Sequence, residues 1–220
     1  MTSRTTRVTQ CEKPTGWFGR FVAWNMNSRH SKVTDWGLSH VAVERNFTIL
    51  DVGCGGGRTV SKLAAIAPDG KVYGIDHSRE SVAVATKTNR KWIAMERVEI
   101  REASVSQLPF PNDLFDLVTA VETHFWWPDL PSDAREVLRV LKPGGTLLMI
   151  AEIYRGASTR TAKLAEKYLS RSGMALLSLD EHRDLLATAA FSDVQVIAIA
   201  EKAWICCTAR KPACRDRDLG

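Results

Sequence analysis

At 220 residues the chain has the length of one large α/β domain, and its 45% apolar and 25% charged residues are usual for a globular protein and argue against disorder. The net charge of +5 is modest, so the composition permits contact with nucleic acid or acidic metabolites without requiring either. No apolar run approaches the roughly 18 residues that span a bilayer, and the basic N-terminus lacks an apolar segment after it, so we expect a cytoplasmic protein without a membrane span.

The five cysteines contain no CxxC pair, so their spacing predicts neither a disulfide framework nor a zinc site. Cys206 and Cys207 are adjacent in a predicted strand, where neighbouring side chains point to opposite faces. We interpret them as plain thiols and expect no bound metal. A role in binding a soft metal or a metalloid is the alternative.

Residues 1–47 are predicted to form a polar leader followed by a helical lid. The aromatic-rich stretch from Trp17 to Val43 is interpreted as two short helices packed over one end of the domain, with Ser31 or Thr34 as an N-cap.

Residues 48–209 alternate between strand and helix patterns. Strands are predicted over Thr48–Val52, Lys71–Ile75, Val98–Glu102, Phe115–Val121, Thr146–Ala151, Val194–Ala200 and Ala203–Thr208. Helices are predicted over Arg58–Ala67, Ser78–Met95, Ser132–Leu141, Thr161–Leu177 and Ser178–Ala190. This order predicts a three-layer α/β fold with a mostly parallel seven-stranded sheet and an antiparallel C-terminal hairpin. Residues 210–220 are predicted to be a basic tail.

A glycine-rich turn, Gly53–Gly57, connects the first predicted strand to the helix after it. Glycine allows a ligand to approach the backbone N–H groups at the start of that helix. The pattern is GxGxG with Asp51 before it, whereas dinucleotide-binding proteins use a related GxGxxG. Asp76 ends the second strand, where a carboxylate can accept hydrogen bonds from both hydroxyls of a ribose. These features predict an adenosine-containing cofactor, and by themselves they do not separate NAD from S-adenosylmethionine.

The segment Leu50–Gly57 (LDVGCGGG), followed by Val72–Asp76 (VYGID), resembles motif I and its partner strand in the class I, Rossmann-like methyltransferases. Later family blocks match in order at Leu108–Pro111 (LPFP), Phe115–Val118 (FDLV) and Glu136–Gly145 (EVLRVLKPGG). The resemblance covers roughly residues 48–151. It implies an enzyme that uses S-adenosylmethionine as its methyl donor.

The resemblance also implies cofactor-binding roles in the first half of the domain. Gly53, Gly55 and Gly57 would pass under the methionine part of the cofactor. Asp51 would face the ammonium group of that part, and Asp76 would hold the ribose.

Further cofactor contacts follow from the same resemblance. His77 would border the adenine ring, and Glu122 would contact the methionine part or begin the substrate pocket. Ser104 and Val105 fall where the family often has an acidic residue and its neighbour at the adenine amino group. Serine in place of the acid is a departure that weakens this contact.

The N-terminal segment has a resemblance of its own. Trp24–Asn27, followed by Ser31 and Trp36, is similar to the segment before motif I in ubiquinone- and menaquinone-pathway C-methyltransferases, where it covers the cofactor. This implies a lid. The alternative is an amphipathic helix pair without that role.

Candidate substrate-binding groups follow the fourth strand. His124 is the candidate base or substrate hydrogen-bond partner, because an imidazole exchanges a proton near neutral pH. A structural histidine is the alternative. Phe125, Trp126 and Trp127 are interpreted as an aromatic wall for a flat or cationic substrate, with core packing as the alternative.

Among possible acceptors, we expect a small molecule that receives the methyl group by direct in-line transfer. Glu122–Phe125 stands where amino-methylating DNA enzymes carry an Asn/Asp-Pro-Pro-aromatic tetrapeptide, and no appended basic domain is visible. Nucleic-acid or protein methylation, methylation of a metalloid through Cys206 or Cys207, a non-catalytic cofactor-binding module and a nicotinamide oxidoreductase are the alternatives. The sequence leaves the oligomeric state open.

Overall fold

The structure is a computed structural model, and it describes residues 31–169 and 176–213. The strands are β1 (Thr48–Val52), β2 (Lys71–Asp76), β3 (Val98–Glu102), β4 (Phe115–Val121), β5 (Leu141–Ala151), β6 (Ser192–Ile199) and β7 (Trp204–Arg210). The helices are α1 (Ser31–Leu38), α2 (Arg58–Ile66), α3 (Arg79–Thr88), α4 (Arg90–Ala94), α5 (Leu130–Val140), α6 (Arg160–Leu169) and α7 (Leu179–Thr188), with 3-10 turns at His124–Trp126 and Ala200–Lys202.

The strands form one seven-stranded sheet in the order β3-β2-β1-β4-β5-β7-β6. The first five strands are parallel, and β7 pairs antiparallel with both β5 and β6. The predicted Rossmann-like fold with a C-terminal antiparallel hairpin is therefore confirmed. Of the helices in the described ranges, none is both long and apolar enough to cross a membrane.

The two faces of the sheet are covered by different helices. Because side chains alternate along a strand, Ile49 and Leu50 enter separate apolar clusters. The cluster with Leu50 includes buried residues of α5 and α7, such as Val137 and Leu186. The cluster with Ile49 includes residues of α1, α2 and α3, such as Leu63.

The strand order indicates which edge of the sheet is expected to bind a ligand. The chain reverses direction across the sheet between β1 and β4, and in open parallel sheets ligands bind beyond the carboxyl ends of strands at such a switch point. Asp51 lies near the carboxyl end of β1, Asp76 ends β2, and Glu122 follows β4. These carboxylates therefore belong to three neighbouring strands.

The LPFP loop is fastened to α5 by side chains of the EVLRVLKPGG block. The guanidinium group of Arg139 donates to the carbonyl oxygens of Leu108, at 3.1 Å, and Phe110, at 2.9 Å. The backbone N–H of Leu108 donates to the carboxylate of Glu136 at 2.8 Å. Two blocks that are separated along the chain by strand β4 and the 3-10 turn after it are thus one structural unit.

Two predicted boundaries differ from the structure. The predicted helix from Ser78 to Met95 is broken at Asn89, whose buried side-chain amide donates to the carbonyl oxygens of Gly57, at 2.8 Å, and Ala85, at 2.9 Å. This bond joins α3 to the glycine turn. Strand β5 begins at Leu141 rather than at residue 146, so the KPGG segment, which follows the predicted helix Ser132–Leu141, lies within a strand.

The reason for the longer strand is pairing on both sides of KPGG. Leu141 pairs with Phe115 of β4, with a register shift before the next pair. The backbone groups of Gly144 and Gly145 exchange hydrogen bonds of 2.9 Å with Lys211. Arg210, which the sequence placed in the basic tail, is the last residue of β7. The remaining tail from residue 214 lies outside the described residues.

Only the last part of the predicted lid is described, and it is helix α1. Ser31 begins the helix, whereas Thr34 lies inside it and is buried, so Thr34 is not an N-cap. Gly37 lets this helix approach the sheet closely, because a Cβ there would lie 2.3 Å from Cδ1 of Ile150. The predicted lid residues before Ser31 lie outside the described residues.

The adjacent cysteines are separated by the sheet. Cys206 packs in the cluster of Ile49 and Cys207 in the cluster of Leu50, and both are buried. Burial raises the pKa of Cys206 to about 12 and that of Cys207 further. Because the thiolate is the metal-binding form, these observations favour the interpretation as plain thiols.

Candidate functional site

A cavity of about 290 Å³ lies at the carboxyl ends of β1, β2 and β4. It brings together most of the residues that were predicted to bind a cofactor, namely Asp51, Gly53, Gly55, Asp76, His77, Ser104, Val105 and Glu122. Within the described part of the chain, Gly57 and His124 are not among its lining residues. The predicted cofactor residues therefore converge, and the predicted base stands apart from them.

The glycine turn contains three left-handed residues, of which Gly53 and Gly55 line the cavity. Gly53, Gly55 and Gly57 have φ values of +69°, +52° and +77°, which favour glycine. A Cβ on Gly53 would lie 2.1 Å from Oγ1 of Thr123, whereas a Cβ on Gly55 would meet nothing within 4 Å. Gly57 is the N-cap of α2 and supplies no side-chain cap. The open space at Gly55, here called the cradle, therefore lies beside an uncapped helix N-terminus.

Asp76 fastens this turn to the end of β2. Its Oδ2 accepts the backbone N–H of Gly55 at 2.9 Å, and its Oδ1 accepts that of Ser78 at 2.8 Å. Burial raises the pKa of Asp76, while the two backbone hydrogen bonds oppose that rise. The side chain of Ser81 also bonds to this carboxylate. A carboxylate has about four acceptor positions, so these bonds leave acceptor capacity for a ligand hydroxyl.

Asp51 is a second buried carboxyl group, at 2% exposure. The hydroxyl of Thr119 donates to its Oδ1 at 2.6 Å. Burial raises the pKa of Asp51 to about 7, the hydrogen bond from Thr119 lowers it, and the charge of Asp76 raises it. A cation bound next to Asp51 would favour the ionised carboxylate.

Glu122 turns the chain away from the sheet at the end of β4. It has a left-handed φ of +57°, which is strained for a residue other than glycine. Its N–H donates to the carbonyl oxygen of Ile150 at 2.9 Å, and its carboxylate accepts the N–H of Glu152. Both bonds fix the start of the following segment to the end of β5.

The other half of the cavity wall comes from α1, α2 and the segment after β4. Trp126, Trp127 and Pro128 line it, as do Ser31 and Thr34 of α1. From α2 come Arg58, Thr59 and Lys62. The sequence interpretation missed these α2 residues, although their position in the first turns after the glycine loop was a usable signal.

An ion pair connects helix α1 to the wall of the cavity. The ammonium group of Lys62 on α2 contacts the carboxylate of Asp35 on α1. Asp35 is exposed, so we attribute orientation of the two helices rather than much stability to this pair.

His124 lies behind the cavity wall rather than in it. It is 2% exposed, and its Nε2 lies 3.0 Å from Nε2 of His182 on α7. Burial, together with His182, holds the pKa of His124 well below its ordinary value of 6.5. Its role as a base stays a prediction, and the geometry favours the structural alternative. The sequence interpretation did not single out His182.

The aromatic residues after His124 divide between two roles. Phe125 is buried in the core cluster and does not line the cavity, within the part of the chain described. Trp126 is half-buried and Trp127 is 6% exposed, and both line the cavity. The indole N–H of Trp127 is buried and has no protein partner among the described residues.

Comparisons with known proteins identify a family and relatives of this chain. Residues 50–149 match the family described as "Methyltransferase domain". The demethylmenaquinone methyltransferase of Geobacillus stearothermophilus is 30% identical over 189 residues, which cover 76% of this chain and 80% of that protein. The O-methyltransferase cnsE of Penicillium expansum is 31% identical over 153 residues, covering 70% of this chain but 55% of that protein, so this chain spans about half of its length.

The fold is also similar to solved methyltransferase structures. A SAM-dependent methyltransferase from Aquifex aeolicus matches with a TM-score of 0.71 at 20% identity, covering 87% of this chain and 97% of that one. The residues present also fit S-adenosylmethionine, because the cradle at Gly55 is open and two buried carboxylates, Asp51 and Asp76, face the same cavity. The chain belongs to the class I, Rossmann-like methyltransferases, and it is an enzyme that uses S-adenosylmethionine.

Proposed function

We propose that this enzyme transfers the methyl group of S-adenosylmethionine to a small-molecule acceptor by direct in-line displacement. The observation that carries this proposal is that one cavity joins the glycine turn and Asp76 to a second, indole-lined half at Trp126 and Trp127. The demethylmenaquinone methyltransferase, by its name, acts on a small molecule. This supports the acceptor class.

In the proposed binding mode, Asp76 holds the ribose hydroxyls through the acceptor capacity that its backbone bonds leave. Asp51 faces the ammonium group of the methionine part, and its ionised form is favoured when that cation is bound. The adenine lies between His77 and the segment Ser104–Val105. These contacts use residues that line the cavity.

The glycine turn and Glu122 complete the binding mode. Gly53, Gly55 and Gly57 form the turn that passes under the methionine part, and Gly55 leaves the backbone open to it. Glu122 also lines the cavity, and we place it between a cofactor half, at the glycine turn and Asp76, and an acceptor half, at Trp126 and Trp127. Its bonds to the end of β5 hold Glu122 in place.

The cofactor supplies an electrophilic methyl carbon and a neutral thioether leaving group. The chain contributes orientation, which in favourable cases is worth about 7–11 kcal/mol of the barrier. Trp126 and Trp127 give the acceptor half an aromatic wall. A base is needed only where the acceptor must lose a proton. We assign no proton transfer to His124, because it is buried and is not among the described residues that line the cavity.

The test is transfer from methyl-labelled S-adenosylmethionine into a fractionated cell extract, with Gly53→Val as the control that obstructs the turn. We expect label in the metabolite fraction, and none with the control. Label in the nucleic-acid or protein fraction would overturn the acceptor class. Binding of S-adenosylhomocysteine without transfer into any fraction would favour a non-catalytic cofactor-binding module.

A further inference from the structure

Two histidines from separate elements share a hydrogen bond inside the core. His124 begins the 3-10 turn after β4, and His182 lies in the first turns of α7. Their Nε2 atoms are 3.0 Å apart, and the rings pack edge to face with centroids 5.1 Å apart. They are 2% and 1% exposed, so water does not compete for this bond.

The proton on each ring follows from the partners. Nδ1 of His182 lies 2.7 Å from the carbonyl oxygen of Ser178, which can only accept, so Nδ1 carries the proton. In the neutral ring, Nε2 of His182 is then an acceptor. His124 must therefore donate from its own Nε2, which leaves its Nδ1 as a bare, buried atom without a protein partner among the described residues.

The pair connects the start of α7 to the wall of the cavity. Ser178 is the N-cap of α7 and forms a capping box with Glu181, so the carbonyl group that holds His182 is itself fixed. On the other side of the pair, the backbone N–H of Trp127 donates to the backbone carbonyl oxygen of His124 at 3.1 Å. The chain of bonds thus runs from the helix cap through both imidazoles to the residue that lines the cavity.

We propose that His182 is a positioning residue, which acts through His124 to fix the turn that carries Trp126 and Trp127 to the acceptor half of the cavity. The inference rests on the proposed function in that this wall contacts the acceptor. An apolar contact at this place would fill the same space without setting the direction of the turn. The hydrogen bond of 3.0 Å joins two rings that each have one usable orientation, so it restricts the direction of the turn.

The inference separates two roles for His124. If His124 were the base, its unprotonated nitrogen, Nδ1, would have to reach the acceptor. That atom is buried, and His124 is not among the described residues that line the cavity. Its Nε2–H is used to hold the turn. His124 is therefore assigned to positioning, together with His182, and the acceptor is aligned by the indole wall.

The experiment compares three variants by ¹⁹F NMR of protein labelled with 5-fluorotryptophan, with the Trp126 and Trp127 resonances assigned by Trp→Phe substitutions. His182→Leu removes the acceptor at similar size, and His182→Gln restores an acceptor oxygen. Leu186→Ala, a buried apolar position on the same helix, is the control for general destabilisation. Calorimetric titration with S-adenosylhomocysteine runs in parallel.

We expect His182→Leu to shift or broaden both indole resonances and to lower label transfer into the acceptor fraction about ten-fold. Its affinity for S-adenosylhomocysteine should stay within about two-fold of the unmodified enzyme. His182→Gln should restore the resonances, and Leu186→Ala should lower the melting temperature without moving them. Unchanged resonances in His182→Leu, or equal changes in Leu186→Ala, would overturn the proposal.

A measurement on the unmodified enzyme keeps the inference testable if His182→Leu does not fold. ¹⁵N spectra of histidine-labelled protein should show the Nε2–H tautomer for His124 and the Nδ1–H tautomer for His182 near neutral pH. The opposite tautomers would overturn the proposal. Failure of the proposed function has a different signature, which is label in a macromolecular fraction or no transfer by a protein whose histidine spectrum is as expected.

Discussion

The hydroxyl of Thr119 donates a 2.6 Å hydrogen bond to Oδ1 of Asp51. The two residues are opposite each other in the parallel pairing of β1 and β4, at the switch point of the sheet. The bond opposes the effect of burial on Asp51, whose pKa is raised to about 7. The charge of this carboxyl group near neutral pH thus depends on a neighbouring strand as well as on the bound ligand.

The affinity for S-adenosylhomocysteine should therefore decrease as pH falls below about 7. Below that value Asp51 becomes protonated, and its attraction for the ligand's ammonium group is lost. Thr119→Val should move the midpoint of this decrease to higher pH, because it removes the bond that lowers the pKa. Calorimetric titration at about pH 6 and about pH 8 checks this; equal affinities at both values would contradict it.

Asp51→Asn should stabilise the ligand-free protein while weakening cofactor binding. A buried carboxyl group with a raised pKa costs folding stability as pH rises from the ordinary value of 3.8 to about 7, and the full cost is present above 7. Removing the charge should raise the free energy of unfolding at about pH 8 by up to roughly 4 kcal/mol. Urea denaturation of both proteins at about pH 8 and about pH 4 measures the free energy of unfolding. The difference between the variant and the unmodified protein should vanish at the lower pH.

Substitutions at Gly53 and Gly55 should separate folding from binding. Gly53→Ala places a Cβ 2.1 Å from Oγ1 of Thr123, so it should lower both the melting temperature and cofactor affinity. Gly55→Ala meets open space, so its cost to folding should be the left-handed φ alone, about 1–2 kcal/mol, while its Cβ obstructs the cradle. Thermal unfolding with and without S-adenosylhomocysteine distinguishes them. Equal ligand-induced stabilisation of Gly55→Ala and the unmodified enzyme would refute the cradle.

Asp76→Asn should reduce discrimination for ribose hydroxyls. The unmodified enzyme should bind S-adenosylhomocysteine more tightly than its 2′,3′-dideoxy analogue, because the carboxylate accepts from both hydroxyls. In the variant this preference should fall by about ten-fold, since an amide nitrogen cannot accept. The comparison uses both ligands on both proteins. A preference of the same size in the variant would place the ribose elsewhere.

The histidine pair should make the folded protein sensitive to acid. Burial lowers the pKa of both His124 and His182 from 6.5, so their neutral forms stabilise the fold above that pH, and this stability is lost as pH falls below it. The charge of Glu181 acts in the opposite direction and raises the pKa of His182. Glu181 itself forms an ion pair with Arg155. The free energy of unfolding should fall between about pH 7 and pH 5, and less steeply in His182→Gln. Parallel slopes for the two proteins would contradict this.

Local patterns were sufficient for the fold and for identifying residues that converge on one cavity. The glycine turn and Asp76 are recognisable in sequence because each follows a strand, and parallel strands bring their carboxyl ends to one edge. The strand and helix alternation likewise predicted the sheet. The break at Asn89 was not predicted, since its cause is a bond to Gly57, a residue 32 positions away.

The direction of single side chains after β4 was decided by tertiary structure alone. The sequence identified His124 as a titratable group at the edge of the sheet where the parallel strands have their carboxyl ends. Its orientation depends on His182, which lies 58 positions later on α7. Likewise, Lys62 of the cavity wall pairs with Asp35 of α1, which lies 27 positions earlier in the chain. Periodicity determines which face of an element is buried, whereas these contacts depend on how separate elements pack against each other, and no local pattern in the chain encodes that.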